Sequence, residues 1–465
     1  MNLPDTFVQR MSCILGNEID SFLQSFEQET NTSIRINPAK FDRKPDLKPV
    51  EYCRTGYFLP QRPLFTIDPF FHSGVYYVQE SSSMFLEQAI RQALPDPHPV
   101  VLDLCASPGG KSTHLASLLS PDSLLISNEV IRPRAQVLSE NLKKWGNPNT
   151  VVTNNDPRDF ARLEGFFDVL VVDAPCSGEG LFRRDEKAVA EWSDSNAQLC
   201  AQRQKRILAD AWPALKEGGL LVYSTCTFNP EEDENNIKWL NESNSIGPVA
   251  LELQGSWGIT VTGAGEFPCY RFYPHKVNGE GFFIAVVRKT SGKKQYHGKT
   301  DKKNLLRASK QEKLTAASLI KDENQEILKF EDSLLSFPAN LIDGLMTVKQ
   351  QLRIVHAGVK VGQIIDNKIT PAHELALSPI LNRNAFPEID ITLNEALKFL
   401  KRDEIKLFSG NKGWNLLSYR GIPMGWVKNL GNRFNSAFPK EWRIRMNLDD
   451  FNEERLKQEM AKFPL

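Results

Sequence analysis

Asp168-Val-Leu-Val-Val-Asp173-Ala-Pro-Cys176-Ser-Gly178 is the stretch whose reading decides the fold. An apolar run from Phe166 to Val172 stops at a carboxylate, a proline, a thiol and two small residues. Runs this short, bounded by turn formers, read as buried strands of a parallel sheet. A second block of the same build lies downstream, Gly219 to Val222 followed by Tyr223-Ser-Thr-Cys226-Thr227. Between the two, over residues 184–216, Leu199, Gln202, Arg203, Ile207, Ala211 and Leu215 recur at helical spacing, long enough for a crossover. Strand, crossover helix and strand side by side put Cys176 and Cys226 past the carboxyl ends of two strands, where open α/β sheets bind ligands. Two thiols and a carboxylate in one cleft point to covalent chemistry.

Upstream, Pro99-Val-Val-Leu-Asp103-Leu reads as another buried strand, followed by Cys105-Ala-Ser-Pro-Gly109-Gly110-Lys111-Ser112 and a helix through Leu119. Leu124-Leu-Ile-Ser, ending at Asn128-Glu129, and Thr150 to Thr153, ending at Asn154-Asn-Asp156, repeat the pattern around a basic-faced helix through Trp145. Alternation at this spacing implies a doubly wound parallel sheet with right-handed crossovers. Tyr270–Phe272 and Gly281–Arg288 read as a final hairpin on it. Gly110-Lys111-Ser112 matches the end of a phosphate-binding P-loop, but Cys105 stands where that motif needs glycine. Pro108 also removes an N–H that a phosphate would use. A nucleoside ligand is the better reading. Glu129, nineteen residues beyond Gly110, lies where a ribose acceptor is expected, and Asp156 is placed to address an adenine amino group. Strand-end carboxylates also cap helices, so this spacing draws its force from sharing a sheet edge with the cysteines.

The whole chain, 465 residues with 41% hydrophobic and 25% charged, has the composition of a soluble globular protein large enough for several cores. No apolar run approaches a membrane span, and residues 1–30 lack the apolar core of a signal peptide. Seven scattered cysteines without a CxxC pair fit reduced thiols in the cytoplasm and no structural metal. Residues 7–26 form a packing helix broken near Gly16, and Thr32–Ile36 a short strand, within an appendage of residues 1–75. An α/β domain spans 76–289, a basic linker 290–313, a mixed α/β unit 314–390 and a β-rich module 391–465.

Zero net charge conceals an asymmetry: residues 289–313 hold nine Lys/Arg against two Asp/Glu, and 398–445 hold eleven against three. In the second segment Phe399, Phe408, Trp414, Tyr419, Trp426, Phe434, Phe438 and Trp442 interleave with the charges, as a phosphate-contacting, base-stacking surface requires. Some of these rings must instead form the module's core.

Together these blocks resemble the Nol/Nop/Sun family of S-adenosylmethionine-dependent RNA cytosine-5 methyltransferases. The matching residues are Leu104-Cys-Ala-Ser-Pro-Gly-Gly-Lys-Ser-Thr113, Asp173-Ala-Pro-Cys-Ser-Gly178 and Tyr223-Ser-Thr-Cys-Thr-Phe-Asn-Pro-Glu-Glu232. Arg35-Ile-Asn-Pro38, Tyr76 to Met84 and Arg271 through His275 to Phe283 agree as well. The region from about 314 resembles the PUA-like, RNA-binding extension of the branch acting on bacterial 16S ribosomal RNA. The resemblance implies a Rossmann-like class I methyltransferase core, a small N-terminal domain and a C-terminal α+β, PUA-like region. It implies S-adenosylmethionine held by Cys105, Ala106, Ser107, Pro108, Gly109, Gly110, Lys111, Glu129, Arg134, Asp156 and Asp173. It also assigns roles: Cys226 as nucleophile on C6, Cys176 as the residue that releases the product, Asp173 at the ring N3 and Lys111 at the base. Cys105 is expected to wall the cofactor loop without chemistry. A monomer acting on ribosomal RNA, free or as the 30S subunit, with neither DNA nor membrane as partner, is the expectation. Transfer RNA as substrate is the first competitor; a non-catalytic assembly factor is the second, and both cysteines being present weighs against it.

Overall fold

The computed structural model describes residues 3–94, 96–298, 308–330, 332–365, 368–407, 411–447, 453–463 and 465. Residues 299–307 of the basic linker, and Phe408 among the interleaved aromatics, lie outside them.

Two helices, α1 (Asp5–Leu15) and α2 (Ile19–Ser25), open the chain. They break at Gly16, whose φ of +54° is left-handed and cheap for glycine alone. Strands β1 (Thr32–Ile36), β2 (Lys48–Pro49) and β3 (Gly56–Leu59), the short helix α3 (Pro69–His72) and β4 (Tyr76–Val78) follow, the strands pairing in the order β2-β3-β1-β4. The α/β pattern then begins with α4 (Leu86–Ala93), β5 (Val100–Asp103), α5 (Gly110–Leu118), β6 (Leu124–Asn128), α6 (Arg132–Trp145) and β7 (Thr150–Thr153). It continues with β8 (Phe167–Asp173), α7 (Glu186–Glu191), α8 (Asp194–Ala211), β9 (Leu215–Thr225) and α9 (Glu234–Ser243). Four strands close this part: β10 (Ile246–Pro248), β11 (Thr260–Ala264), β12 (Phe267–Phe272) and β13 (Phe282–Lys289).

The central sheet runs β11-β12-β13-β9-β8-β5-β6-β7, with β5 to β9 parallel and the last strands antiparallel. Val169 to Val172 are all buried because helices cover both faces of the sheet, which is why β8 shows a continuous apolar run and no alternation. Chain order reverses at β5, flanked by β6 on one side and β8 on the other, and this switch point fixes the cleft at the strands' carboxyl ends. The fold is a Rossmann-like α/β core with an N-terminal domain and a C-terminal module. No helix among the described residues is long and apolar enough to cross a membrane.

One expectation needs correcting. The crossover helix α8 exists, but its core face is Ala197, Cys200, Ala201, Gln204, Ile207, Leu208 and Ala211, while Leu199 is 58% exposed. Small residues carry this stripe, so the one large leucine marks the wrong face. The β-rich module's rings divide between core and surface. Phe399, Tyr419, Trp426 and Phe438 are buried, and only Trp414, Phe434 and Trp442 are partly open.

The rest of the chain builds two small sheets. The first comprises β14 (Gln325–Phe330), β15 (Ser333–Pro338), β17 (Val359–Ile365) and β18 (Lys368–Pro371), with α10 (Lys310–Ala317), α11 (Ile342–Gln351) and α12 (His373–Leu377) around it. Between α11 and β17, strand β16 (Ile354–Ala357) leaves this unit and pairs antiparallel with β7 at the edge of the central sheet. The second sheet comprises β19 (Glu388–Asp390), β20 (Gly413–Tyr419), β21 (Ile422–Asn429) and β22 (Phe434–Ser436), beside α13 (Leu393–Lys401). It shares one hydrophobic cluster with the N-terminal sheet, in which Ile34, Tyr57, Phe70 and Tyr76 meet Phe399, Leu417 and Tyr419.

Candidate active site

The residues after β8 and those after β9 are laced together. Ala174 N donates to Ser224 O at 2.8 Å, Ser177 N to Glu232 Oε2 at 2.9 Å and Gly180 N to Cys226 O at 2.8 Å. Gln204 of α8 reaches both loops, donating to Pro175 O at 3.0 Å and Glu232 Oε2 at 2.9 Å. Glu179, fully buried, accepts from Phe228 N at 3.1 Å, from Trp192 Nε1 at 3.0 Å and from the Arg10 guanidinium at 2.5 Å. The N-terminal helix α1 thereby holds the turn that joins the two cysteine loops.

This lacing leaves Cys176 Sγ and Cys226 Sγ 3.2 Å apart, both free thiols and both partly exposed. The hydrogen bond to Cys226, then burial, then the nearby negative charge of Glu232 push the Cys176 thiol well above its ordinary range. Cys176 therefore holds its proton within hydrogen-bond reach of the Cys226 sulfur, and either sulfur can be the donor in this contact. Such a pair offers one nucleophile and one acid.

Asp173 ends β8 on the same edge. Its Oδ1 accepts from Ser224 Oγ at 2.8 Å and its Oδ2 pairs with Lys111 Nζ at 2.8 Å. Lys111, on the first turn of α5, also lies 5.1 Å from the centroid of the Phe282 ring. Four of the predicted chemical residues thus converge on the ends of β8, β9 and α5.

The loop between β5 and α5 forms the other half of the cleft. Gly109 has φ +117°, and a side chain there would press on Leu138 Cδ1 at 3.3 Å and Asn141 Cβ at 3.4 Å. Arg35, fully buried against the Trp145 ring, donates to Gly110 O at 3.2 Å and Thr113 Oγ1 at 2.6 Å and so fixes the start of α5. Asp103 Oδ2 accepts from Ser112 Oγ at 2.6 Å, while its Oδ1 is buried with no partner among the described residues. Burial raises the Asp103 carboxyl to about 7. Ala106 is buried, and Cys105 is partly buried at the edge of the core, its thiol pushed up by burial. Ser107 and Arg134 exchange backbone-directed bonds at 3.1 Å, and Asn141 Nδ2 donates to Pro108 O at 2.8 Å.

Glu129 lies at the end of β6, accepting from Ile131 N at 2.9 Å and facing Arg134 Nη2 at 3.4 Å. Asp156 caps the turn after β7: its carboxylate accepts from Arg158 N at 3.2 Å, and its backbone N–H donates to Asp159 Oδ2 at 3.2 Å. Sequence reasoning missed Val130 and Ile131, which are 52% and 48% exposed directly after Glu129. The available signal was an apolar pair directly after a strand-end carboxylate, at the edge of the cleft. Away from the cleft, Cys53, Glu87 and His114 form a buried polar cluster, His114 Nε2 lying 3.3 Å from Glu87 Oε2 and 3.7 Å from Cys53 Sγ.

Comparison with known proteins follows the same division. Residues 92–288 match the family described as 16S rRNA methyltransferase RsmB/F. Residues 3–81 match the N-terminal domain of 16S rRNA methyltransferase RsmF, and 386–444 match the methyltransferase RsmF PUA domain. A Vibrio parahaemolyticus protein named ribosomal RNA small subunit methyltransferase F is 29% identical over 94% of this chain and 97% of its own length. An Escherichia coli protein of the same name is 28% identical over 94% and 96%. The crystal structure of a methyltransferase homologue from Pyrococcus horikoshii shares 27% identity and a TM-score of 0.52, covering 62% of this chain and 95% of that one.

Proposed function

Because the chain belongs to the 16S rRNA methyltransferase RsmB/F family, we propose that it methylates C5 of one cytidine in 16S ribosomal RNA through a covalent adduct. The observation that carries this reading is the cysteine pair, 3.2 Å apart, on one sheet edge with the Asp173–Lys111 pair.

Cytosine C5 is a weak nucleophile until C6 is saturated. Cys226 Sγ forms the S–C6 bond, and the C5–C6 π electrons move toward C5 and the ring. Asp173, held by Lys111 and Ser224, meets N3 and supports the neutral, proton-bearing ring as that charge develops. When bound, S-adenosylmethionine supplies an electrophilic methyl group. The C5 proton then passes to solvent water, the C5–H electrons re-form the C5–C6 double bond and the S–C6 bond breaks, expelling Cys226 as thiolate. Cys176, which keeps its proton beside that sulfur, supplies it to the departing thiolate and so assists release.

The cofactor cradle fits this chemistry. Gly109 and Gly110 seat the β5–α5 loop closely against Leu138 and Tyr77, Asp103 carries a buried carboxyl oxygen without a partner among the described residues, and Glu129 offers a carboxylate next to the open apolar pair Val130 and Ile131. Residues 105–111 with Glu129, Arg134, Asp156 and Asp173 would hold the nucleoside and amino-acid ends. The target base must leave its stack to reach Cys226, at a cost of a few kcal/mol. Exposed cations of the C-terminal module, among them Arg420, Lys428, Arg433 and Arg443, supply salt-sensitive phosphate contacts.

The deciding experiment is methyl transfer from labelled S-adenosylmethionine to naked 16S RNA, isolated 30S subunits and bulk transfer RNA, side by side. Labelled 5-methylcytosine in either ribosomal sample is the expected result. Label confined to transfer RNA overturns the substrate, and no label with the cofactor still bound favours a non-catalytic assembly factor.

A further inference from the structure

The segment from 289 to 385 falls between the family models, which end at 288 and resume at 386. Its sheet, with α11 and α12, encloses a cavity of about 280 Å³ against β16. Leu335, Leu345, Met346 and Ile354 give it apolar walls. At its mouth Phe330 is 44% exposed, with Lys349 Nζ 5.4 Å from the ring centroid.

The charge around this cavity is one-sided. Lys143, Lys329, Lys349 and Lys360 line it from four different elements, α6, β14, α11 and β17, against the single carboxylate of Glu374. Lys143 pairs with Glu374 at 3.3 Å and Lys329 with Glu312 at 2.8 Å. Among the described residues, Lys349 and Lys360 have no carboxylate partner. Deeper in, Glu374 accepts from Lys360 N at 3.2 Å and lies 3.8 Å from His356 Nδ1. Burial holds His356 neutral, at about 4, so its ring offers one donor and one acceptor. Apolar walls, an open ring, a few convergent polar groups and surplus cations at the mouth are the parts a nucleotide needs.

We propose that this cavity takes one unpaired nucleotide of the RNA substrate, its base against Phe330 with the polar edge toward Glu374 and His356, and its phosphates on Lys349 and Lys360. The assignment rests on the chain being an RNA methyltransferase. β16 lies five strand positions from β9 in the sheet, about 24 Å at the usual strand spacing, so the anchored nucleotide is distinct from the target base.

The test is fluorescence anisotropy of the full chain with short homopolymeric oligoribonucleotides of each base, alongside methyl-transfer kinetics on 16S RNA. Phe330→Ala, at an exposed position, should weaken oligonucleotide binding roughly 5- to 150-fold. The same variant should raise KM with kcat retained. Lys349→Ala with Lys360→Ala should lower the slope of log K against log salt by about 1.4, the share of two single-strand phosphates. Glu374→Gln, which replaces an acceptor-only group with a donor and an acceptor, should reorder the preference among the four homopolymers. Unchanged affinity, slope and KM in these variants overturn the pocket while leaving the methyltransferase reading intact. Binding lost in Phe330→Ala, together with no methyl transfer by the parent protein, overturns that reading and leaves the pocket standing.

Discussion

Replacing Arg10 with methionine tests whether the N-terminal helix holds the catalytic loops. Glu179 is fully buried, and its carboxylate has three donors: the Arg10 guanidinium, Trp192 Nε1 and Phe228 N. Removing one partner of a buried ion pair leaves an uncompensated charge and costs about 3–5 kcal/mol. Two N–H donors remain here, and the Arg10 side chain is 21% exposed so water can enter, which sets the cost near the lower end, about 3 kcal/mol. That cost falls on the turn whose Gly180 N–H holds the Cys226 carbonyl, at 2.8 Å. Hydrogen exchange resolves such local openings, and 3 kcal/mol corresponds to roughly a hundredfold loss of protection. The expected result is that loss at the Gly180 and Phe228 amides, with the amides of β5 and β6 unchanged. Adding Glu179→Gln should restore part of it: no charge stays buried, but Trp192 Nε1 and Phe228 N bond to different carboxylate oxygens, so the amide keeps one acceptor and turns its NH2 toward the other donor. A loss below tenfold in the single variant, or no recovery in the double, refutes the argument.

Further outcomes follow from the same geometry. Cys226→Ala should abolish methyl transfer with cofactor binding retained, whereas Cys176→Ala should accumulate a covalent protein–RNA adduct visible on denaturing gels; turnover in the first or no adduct in the second removes the assigned role. Asp173→Asn should lower kcat at saturating cofactor by about 10²–10⁴, the range for a positioned proton-transfer group; a near-normal kcat excludes it. Asp103 has its folded pKa raised from 3.8 to about 7, so its contribution is complete below the unfolded value and is lost as pH rises through 7. Melting temperatures of Asp103→Asn should therefore fall less than those of the parent between about pH 4 and 7, and equal slopes exclude a folded-state pKa this high. Deleting 391–465 should destabilise the N-terminal sheet together with RNA binding, because Phe70 packs on Tyr419 at 5.7 Å between ring centroids; an unchanged melting profile would show that the shared cluster contributes little.

Much of the central sheet was legible because its strands are buried on both faces. Val169 to Val172 cannot alternate, so a run of aliphatic residues ending in Asp-Ala-Pro-Cys declares both a strand and its carboxyl end. The β16–β7 pairing was not legible. It joins residues about two hundred positions apart, as in the bond from Asn155 Nδ2 to Arg353 O at 3.1 Å, and nothing local in Ile354–Ala357 distinguishes this strand from its neighbours. The aromatics of the C-terminal module illustrate a second limit. A unit this small buries a core only by committing its largest side chains to it, so charges interleaved with rings there describe a folded module as readily as a stacking surface. Trp426 shows the outcome: it is fully buried, with its indole N–H on Ala372 O at 2.8 Å.

The site was legible to the extent that its chemistry sits beside strand ends. Cys176, Cys226 and Asp173 are each within three residues of β8 or β9, so identifying the strands located all three. What sequence could not supply is the support that makes two thiols a pair. Arg10, Glu179, Gln204 and Glu232 come from α1, the turn after β8, α8 and the segment before α9, and none belongs to a recognisable motif by spacing alone. They act by closing hydrogen bonds that the turns after β8 and β9 leave open, a requirement visible only once the backbone course is known. The cysteines therefore carry the proposed reaction, while the buried carboxylates behind them hold 3.2 Å between the sulfurs. A chain with both cysteines but without Glu179 or Glu232 would carry the motif and lack the geometry.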